Sequence, residues 1–136
     1  MASDVLLDTN VILRLLRGDE PAHHAQARRL FEQAAQGKVR LVVPTLVVAE
    51  VVFVLQGFYS LGRADIAQLL KDLAATPGVV LPEAGPVMVA ADLFGRHGID
   101  FADAYLAALA RESKIATLAT FNKRDFRRFS WLNLLP

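Results

Sequence analysis

The sequence predicts an α/β domain: three layers, α/β/α, around a mainly parallel central sheet of four or five strands. Two observations predict it. Short apolar runs stand at Val5-Leu6-Leu7, Leu41-Val42-Val43, Val79-Val80-Leu81 and Ile115 to Ala119. Between them the apolar residues recur at helical spacing over several turns. Short buried strands alternating with longer helices are the pattern of a parallel sheet covered on both faces.

The first run ends at Asp8-Thr9-Asn10, and Val11, Ile12, Leu15 and Leu16 then follow a helical period. Gly18-Asp19-Glu20-Pro21 is a turn, and Pro21 suits the first position of a second helix through Leu30 and Phe31 to Gly37. Pro44 stops the second strand, and Thr45 is placed to cap a third helix from Leu46 towards Gly57. A fourth helix fits Ala64 to Ala75, with Ile66, Leu69, Leu70 and Leu73 as its apolar stripe. Thr76-Pro77-Gly78 breaks it before the third strand. Pro86 to Phe94 reads as a fifth helix, ended by Gly95 to Gly98, and Phe101 to Glu112 as a sixth with Tyr105, Leu106 and Leu109 inward. Ile115 to Ala119 and Trp131 to Leu135 are the last two strand candidates, the second of them weak.

A chain of 136 residues is long enough for one core and too short for two, so residues 1–136 are read as a single domain. An apolar fraction of 54% and a charged fraction of 21% exclude a disordered chain. The absence of cysteine removes disulfides, thiolate metal sites and cysteine nucleophiles together. The N-terminus reaches Asp4 and Asp8 without a basic leader or an apolar stretch of signal length. The greasiest stretch, Leu41 to Leu55, holds Pro44 and Glu50 and falls short of the roughly 20 residues of a bilayer span. A cytoplasmic protein with no membrane partner is the expectation. The net charge of +1 leaves local arrangement to identify partners.

In parallel α/β sheets the ligand crevice lies beyond the carboxyl ends of the strands, so acids just after strands carry the most information. Asp8 follows the first strand, and Glu50 sits inside the apolar segment Leu46-Val47-Val48-Ala49-Glu50-Val51-Val52-Phe53-Val54-Leu55. Asp100 and Asp103 open the sixth helix, and Asp125 stands three residues after Asn122. Each has a plain structural alternative. Asp8 can help start a helix that Asn10 caps, and Asp100 with Asp103, or Asn122 with Asp125, match an N-cap followed by an acid. Glu50 fits that alternative least well, because apolar residues wrap nearly all the way round its helix and a buried carboxylate needs a cationic partner. The fold should gather these acids on one rim, where they repel unless protonated or bridged by cations. Oxygen-only ligation points to Mg²⁺ or Mn²⁺ rather than zinc.

His23 and His24 are adjacent and His97 is alone, so no histidine pair has metal-ligand spacing, and all three are expected at the surface. Water activated by a metal removes the need for a histidine base. No Gly-x-Ser-x-Gly elbow and no phosphate-cradling glycine loop is present.

Four segments together resemble a known family. Leu7-Asp8-Thr9-Asn10-Val11-Ile12-Leu13, Pro44-Thr45-Leu46-Val47-Val48-Ala49-Glu50-Val51, Asp100-Phe101-Ala102-Asp103-Ala104 and Ala119-Thr120-Phe121-Asn122-Lys123-Arg124-Asp125-Phe126 resemble, in order, the acidic motifs of PIN domains. The length is similar to that of the VapC-type toxins of toxin–antitoxin pairs. The resemblance implies a PIN-like fold and a Mg²⁺- or Mn²⁺-dependent endoribonuclease that leaves 5′-phosphate and 3′-hydroxyl ends. Asp8, Glu50 and Asp103 would be its main acidic ligands, with Asp100 and Asp125 completing the cluster and Asp125 joining the catalytic set. Thr9, Asn10, Thr120 and Asn122 match polar positions that orient ligands or water. Some relatives carry an acid where this chain has Asn122, which leaves open whether Asn122 or Asp125 fills the last acidic position, and whether one metal binds or two. The resemblance also implies an RNA substrate, a homodimer and a cognate antitoxin protein.

Lys123, Arg124, Arg127 and Arg128, interleaved with Phe126, Phe129 and Trp131, form one candidate RNA-binding patch, and Arg14 with Arg17 a second. The alternative for the first patch is a solvated helix end with its aromatics in the core. Phe53, Phe58 and Tyr59 suit a dimer or antitoxin groove, or the core. A catalytically silent PIN-fold module binding RNA or protein is the competing function. A DNA flap nuclease needs elements for which the chain has no room, and an aspartyl phosphatase would prefer a second acid where Asn10 stands.

Overall fold

The computed structural model describes residues 2–136. Among them, five short strands and seven helices follow in the order β1 (Ser3–Leu6), α1 (Thr9–Arg17), α2 (Pro21–Ala35), β2 (Val39–Val42), α3 (Thr45–Gly57), α4 (Arg63–Ala75), β3 (Val79–Val80), α5 (Ala84–Arg96), α6 (Phe101–Ser113), β4 (Thr117–Ala119), α7 (Lys123–Phe126) and β5 (Asn133–Leu135).

The α/β class and the parallel pairing are as the sequence predicts. The strands do not form one continuous sheet, however. β1, β2 and β3 pair in parallel in that order, with Ser3 opposite Val39 and Leu41 opposite Val79. β4 and β5 form a separate parallel pair, with Thr117 opposite Asn133. β1 is therefore an edge strand, and Ser3, Asp4 and Leu6 are exposed rather than covered. Asp4 faces Arg40 across the pairing and accepts from its Nε at 2.8 Å and its Nη2 at 3.2 Å, an opposite-charge cross-strand pair on that open face.

Local chemistry explains the boundaries. Asp8 caps α1 by accepting from Thr9 N at 2.7 Å, so Asp8 and not Asn10 is the N-cap. Gly18 closes α1 at φ +61°, in the left-handed region that glycine adopts without penalty. Pro21 opens α2 as expected. Gly78, at φ +80°, lies so close to α2 that a Cβ there would come within 2.5 Å of the Ala34 carbonyl oxygen. The crossover into β3 thus requires glycine at this position.

Buried apolar residues form one continuous cluster that includes Ile12, Leu41, Val43, Val48, Leu55, Ile66, Leu70, Phe94, Ile99 and Phe126. Within α6 the buried residues are Phe101, Ala104, Ala107 and Ala108, while Leu106 is exposed and Tyr105 and Leu109 are half-buried. The small side chains on this face, and Ala90 and Ala91 on α5, let the two helices pack closely, and Leu106 and Leu109 fall to the margin. No helix among the described residues is long and apolar enough to cross a membrane.

The carboxyl edge of the three-stranded sheet sets the site. Asp8 follows β1, Thr45 follows β2 and Glu83 follows β3, so three polar side chains from distant parts of the chain share one rim.

Candidate functional site

Asp100 is the N-cap residue of α6 and Asp103 lies in that helix's first turn. Neither Asp100 nor Asn122, the N-cap residue of α7, makes a side-chain capping bond. Asn122 Nδ2 donates to Asp125 Oδ2 at 2.9 Å and to Asp103 Oδ2 at 3.3 Å, and its backbone N–H donates to Thr120 Oγ1 at 2.9 Å. Thr120 thereby fixes the turn that carries Asn122, and Asn122 ties two carboxylates from different helices.

Burial pushes the Asp103 carboxyl above the ordinary aspartate range, and the negative fields of Asp100 and Asp125 push it further, with the Asn122 hydrogen bond opposing them. Three acids and one amide are therefore brought together at the start of α6 and α7. Arg128 Nη2 lies 3.6 Å from Asp125 Oδ1 and partly offsets the charge on that side.

Asp8 and Glu50 belong to other elements, and neither contributes appreciably to the field at Asp103. Asp8 is exposed at the tip of α1 and engaged with Thr9 N. Thr9 is buried, and its Oγ1 has no hydrogen-bond partner among the described residues. Asn10, on the next position of α1, is exposed.

Glu50 corrects a sequence expectation. It is exposed rather than enclosed, on a face of α3 that also exposes Leu46 at 81% and Phe53 at 77%. The apolar residues of α3 do surround the helix, but only Val48, Val51, Val52 and Leu55 are fully buried, so the wrapping disguised an open face. Glu50 has no ion-pair partner among the described residues. Of the residues the sequence left between core and partner groove, Phe53 and Phe58 are exposed, and Leu46 adds to the same apolar surface. Tyr59 is half-buried and donates to Asp19 Oδ2 at 2.6 Å.

Glu83 and Tyr105 were missed by the sequence reading. Glu83 Oε1 accepts from Thr45 Oγ1 at 2.5 Å, and Tyr105 donates to Oε1 at 3.0 Å and Oε2 at 2.9 Å. Thr45 is the first residue of α3 and makes no cap; its hydroxyl serves this brace instead. One carboxylate so links the starts of α3 and α5 to α6, the helices that carry Glu50 and Asp103. The signal was available: Glu83 follows the third strand as Asp8 follows the first.

The basic candidates divide into free and committed groups. Arg14 is held by Asp19 and Glu20, at 2.9 and 2.5 Å, and Arg17 stacks over the Tyr59 ring at 4.9 Å. Lys123 donates to the Pro136 carbonyl, while Arg124 and Arg127 are exposed. Phe126 and Phe129 are core residues, and half-buried Trp131 donates from Nε1 to the Ala107 carbonyl at 2.9 Å. The aromatics between these basic residues are packing groups. His23 is exposed as expected, but His24 is half-buried with Nδ1 2.8 Å from the Arg14 carbonyl, and His97 packs edge-on to Phe129.

The donor chemistry fits a hard divalent cation. Asp100, Asp103 and Asp125 offer oxygen only, and their mutual repulsion is what such an ion relieves. No three carboxylate or imidazole side chains among the described residues converge closely enough to embrace one ion. β4 pairs with β5 and not with the main sheet, so Thr120, Asn122 and Asp125 ride on a different platform from Asp8 and Glu50.

Comparison with known proteins adds an independent line. The family model described as PIN domain matches residues 5–132. A VapC ribonuclease from Aquifex aeolicus (strain VF5) is 25% identical over 131 residues, covering 96% of both chains. A solved structure of VapBC2 from Rickettsia felis bound to a DNA fragment from its promoter shares 17% identity over 97% of each chain, with a TM-score of 0.36.

Proposed function

The chain belongs to the PIN-domain family, and from that premise we propose that it is a metal-dependent endoribonuclease, the toxin of a toxin–antitoxin pair, acting in the cytoplasm. The observation that carries the proposal is the tying of the Asp103 and Asp125 carboxylates by Asn122, with the Asp103 carboxyl raised by burial and by the charges of Asp100 and Asp125. A fold gains nothing in stability from like charges gathered at a half-buried rim, and functional sites are where such arrangements persist. The full-length similarity to a VapC ribonuclease supports RNA as the substrate and an antitoxin as the partner.

The family motifs make Asp8, Glu50, Asp100, Asp103 and Asp125 the residues that would hold Mg²⁺ or Mn²⁺, and of these Asp103 and Asp125 share the Asn122 amide. When bound, the ion neutralises charge developing on phosphate oxygens and makes water a competent nucleophile near neutral pH. The chain's own part is positional. Asn122 orients the Asp103 and Asp125 carboxylates, Thr120 fixes Asn122, and the Glu83 brace holds the starts of α3 and α6 in register. Asn10, exposed two residues after Asp8, would present its amide to whatever binds there, and the buried Thr9 hydroxyl would act from beneath. Arg124 and Arg127 are the basic groups free to contact the RNA backbone, with Lys123, Arg128, Arg14 and Arg17 already engaged in the protein. Hydrolysis would leave a 5′-phosphate and a 3′-hydroxyl. Leu46, Phe53 and Phe58 supply apolar surface for a homodimer or for the antitoxin.

Incubating the protein with a labelled structured RNA in Mg²⁺, in Mn²⁺ or in EDTA tests the proposal. Cutting in metal that stops in EDTA supports it. RNA binding without cutting in either metal would favour a silent binding module instead.

A further inference from the structure

α1 and α2 form a hairpin with a half-open surface cleft of about 360 Å³ between them, within the range of small-ligand sites. We propose that this cleft is a base-binding subsite: it takes one unstacked nucleobase of the RNA strand whose backbone lies at the acidic rim. The assignment rests on the ribonuclease function proposed for the rim.

The walls and the rim differ in chemistry. Val11, Ala27 and Leu30 line the cleft with aliphatic surface, while Asn10, His23 and Gln26 place donors and acceptors at its edge. Apolar walls suit the faces of a flat ring, and mixed polar groups suit its hydrogen-bonding edge. Sequence-selective RNA recognition works this way, on single-stranded bases splayed from the stack.

Charge decides between a base and a phosphate. Arg14 lines the cleft, but its Nη1 lies 2.9 Å from Asp19 and its Nε 2.5 Å from Glu20. Two carboxylates thus compensate one guanidinium, and no uncompensated arginine or lysine lines the cleft to attract a phosphate. A neutral ring with a polar edge meets no such penalty. The cleft is also braced in its open form. Tyr59 donates to Asp19 Oδ2 at 2.6 Å, and the His24 ring pairs with the Arg14 carbonyl at 2.8 Å, so the turn between the helices is held from both sides.

Position ties the cleft to Asp8. Asp8 caps α1 and Asn10 lines the cleft from the same helix's first turn, within about 5.4 Å of rise. A base seated there belongs to a nucleotide close to the one whose phosphate reaches Asp8.

The test maps cleavage positions in a random-sequence single-stranded RNA pool, in Mg²⁺, for the unaltered protein and for Leu30→Trp, Ala27→Leu and Gln26→Ala. The first two fill the cleft, and the third strips its exposed edge without touching the core. Melting temperatures confirm that each variant folds. The expected result is a preference for one base at one position beside the cut, reduced about tenfold in the folded variants, with turnover on non-preferred sequences retained. An unaltered protein that cuts without base preference overturns the assignment. So does a preference that survives filling of the cleft, which would leave the cleft to an apolar side chain of a protein partner. If the unaltered protein cuts nothing, the ribonuclease function fails separately, and binding of the four homopolymeric oligoribonucleotides decides the cleft. Base-selective binding lost on filling upholds it, and unselective binding, or none, refutes it.

Discussion

Asn122 ties Asp103 to Asp125: its single Nδ2 donates to Asp103 Oδ2 at 3.3 Å and to Asp125 Oδ2 at 2.9 Å. An amide placed between two carboxylates supplies donors without adding charge, which lets the acids stay close while remaining open to a cation. Replacing Asn122 by Ala removes those donors and should raise the Asp103 carboxyl further, as read from its side-chain carbon signal in an NMR pH titration. Asn122→Asp should destabilise the metal-free protein more than Asn122→Ala, by about 0.5–1 kcal/mol, because it adds a fourth like charge to Asp100, Asp103 and Asp125. Equal melting temperatures for the two variants would show that the amide plays no electrostatic part.

Asp103 should trade stability for function. Its folded-state carboxyl is raised by burial first and by Asp100 and Asp125 next, so the charged form is disfavoured in the native protein. The sign follows from linkage: below the unfolded aspartate value both states are protonated and nothing is lost. As pH rises through the raised folded value the metal-free protein loses stability. Asp103→Asn should therefore melt higher than the unaltered protein at neutral pH without metal, by less than about 1 kcal/mol given the partial exposure. The gain should vanish at acidic pH, and an equal gain at all pH values would refute the electrostatic cause.

Much of this arrangement was legible in the sequence. Helical periodicity located the six longer helices, because apolar stripes and Gly or Pro punctuation agree at nearly every boundary. Asp8 was legible as an acid just after a strand, and Asp103 as an acid in the first turn of a helix. Three features were not. α3 is apolar on every side, so no stripe tells which face is buried, and Glu50 was expected inside. Thr45 looks like a cap in isolation, and only the tertiary approach of β3 delivers Glu83 to it. The division of the strands into three and two depends on long-range pairing that short runs such as Thr117–Ala119 do not specify.

The Glu83 brace should be cooperative. Tyr105→Phe and Thr45→Val each remove a donor to the same carboxylate, and a double-mutant cycle should give a coupling of about 0.5–2 kcal/mol. The Tyr105 hydroxyl is raised by burial and by its bond to Glu83. The unfolded chain therefore deprotonates first, and stability falls as pH climbs past the ordinary tyrosine value. Tyr105→Phe should flatten part of that alkaline loss in urea melts, and strictly additive single effects would dissolve the brace.

Charge neutralisation should separate the basic residues. Arg124→Gln with Arg127→Gln should weaken RNA binding and reduce the slope of log affinity against log salt by about 0.7 for each phosphate no longer neutralised. Arg14→Gln should act on stability instead, since its guanidinium is bound to Asp19 and Glu20. A salt slope unchanged by the paired Arg124 and Arg127 substitutions would take that surface out of the RNA path.

The central claim is that Asp8 and the acids around Asn122 together perform the cutting, and single-turnover cleavage of a labelled RNA at saturating Mg²⁺ tests it most directly. Asp103→Asn and Asp8→Asn, each shown to be folded by its melting curve, should cut at least about a hundredfold more slowly than the unaltered protein. Asp103→Asn cutting at the unaltered rate would contradict the account, because the residue on which the charges converge would then have no part in the chemistry.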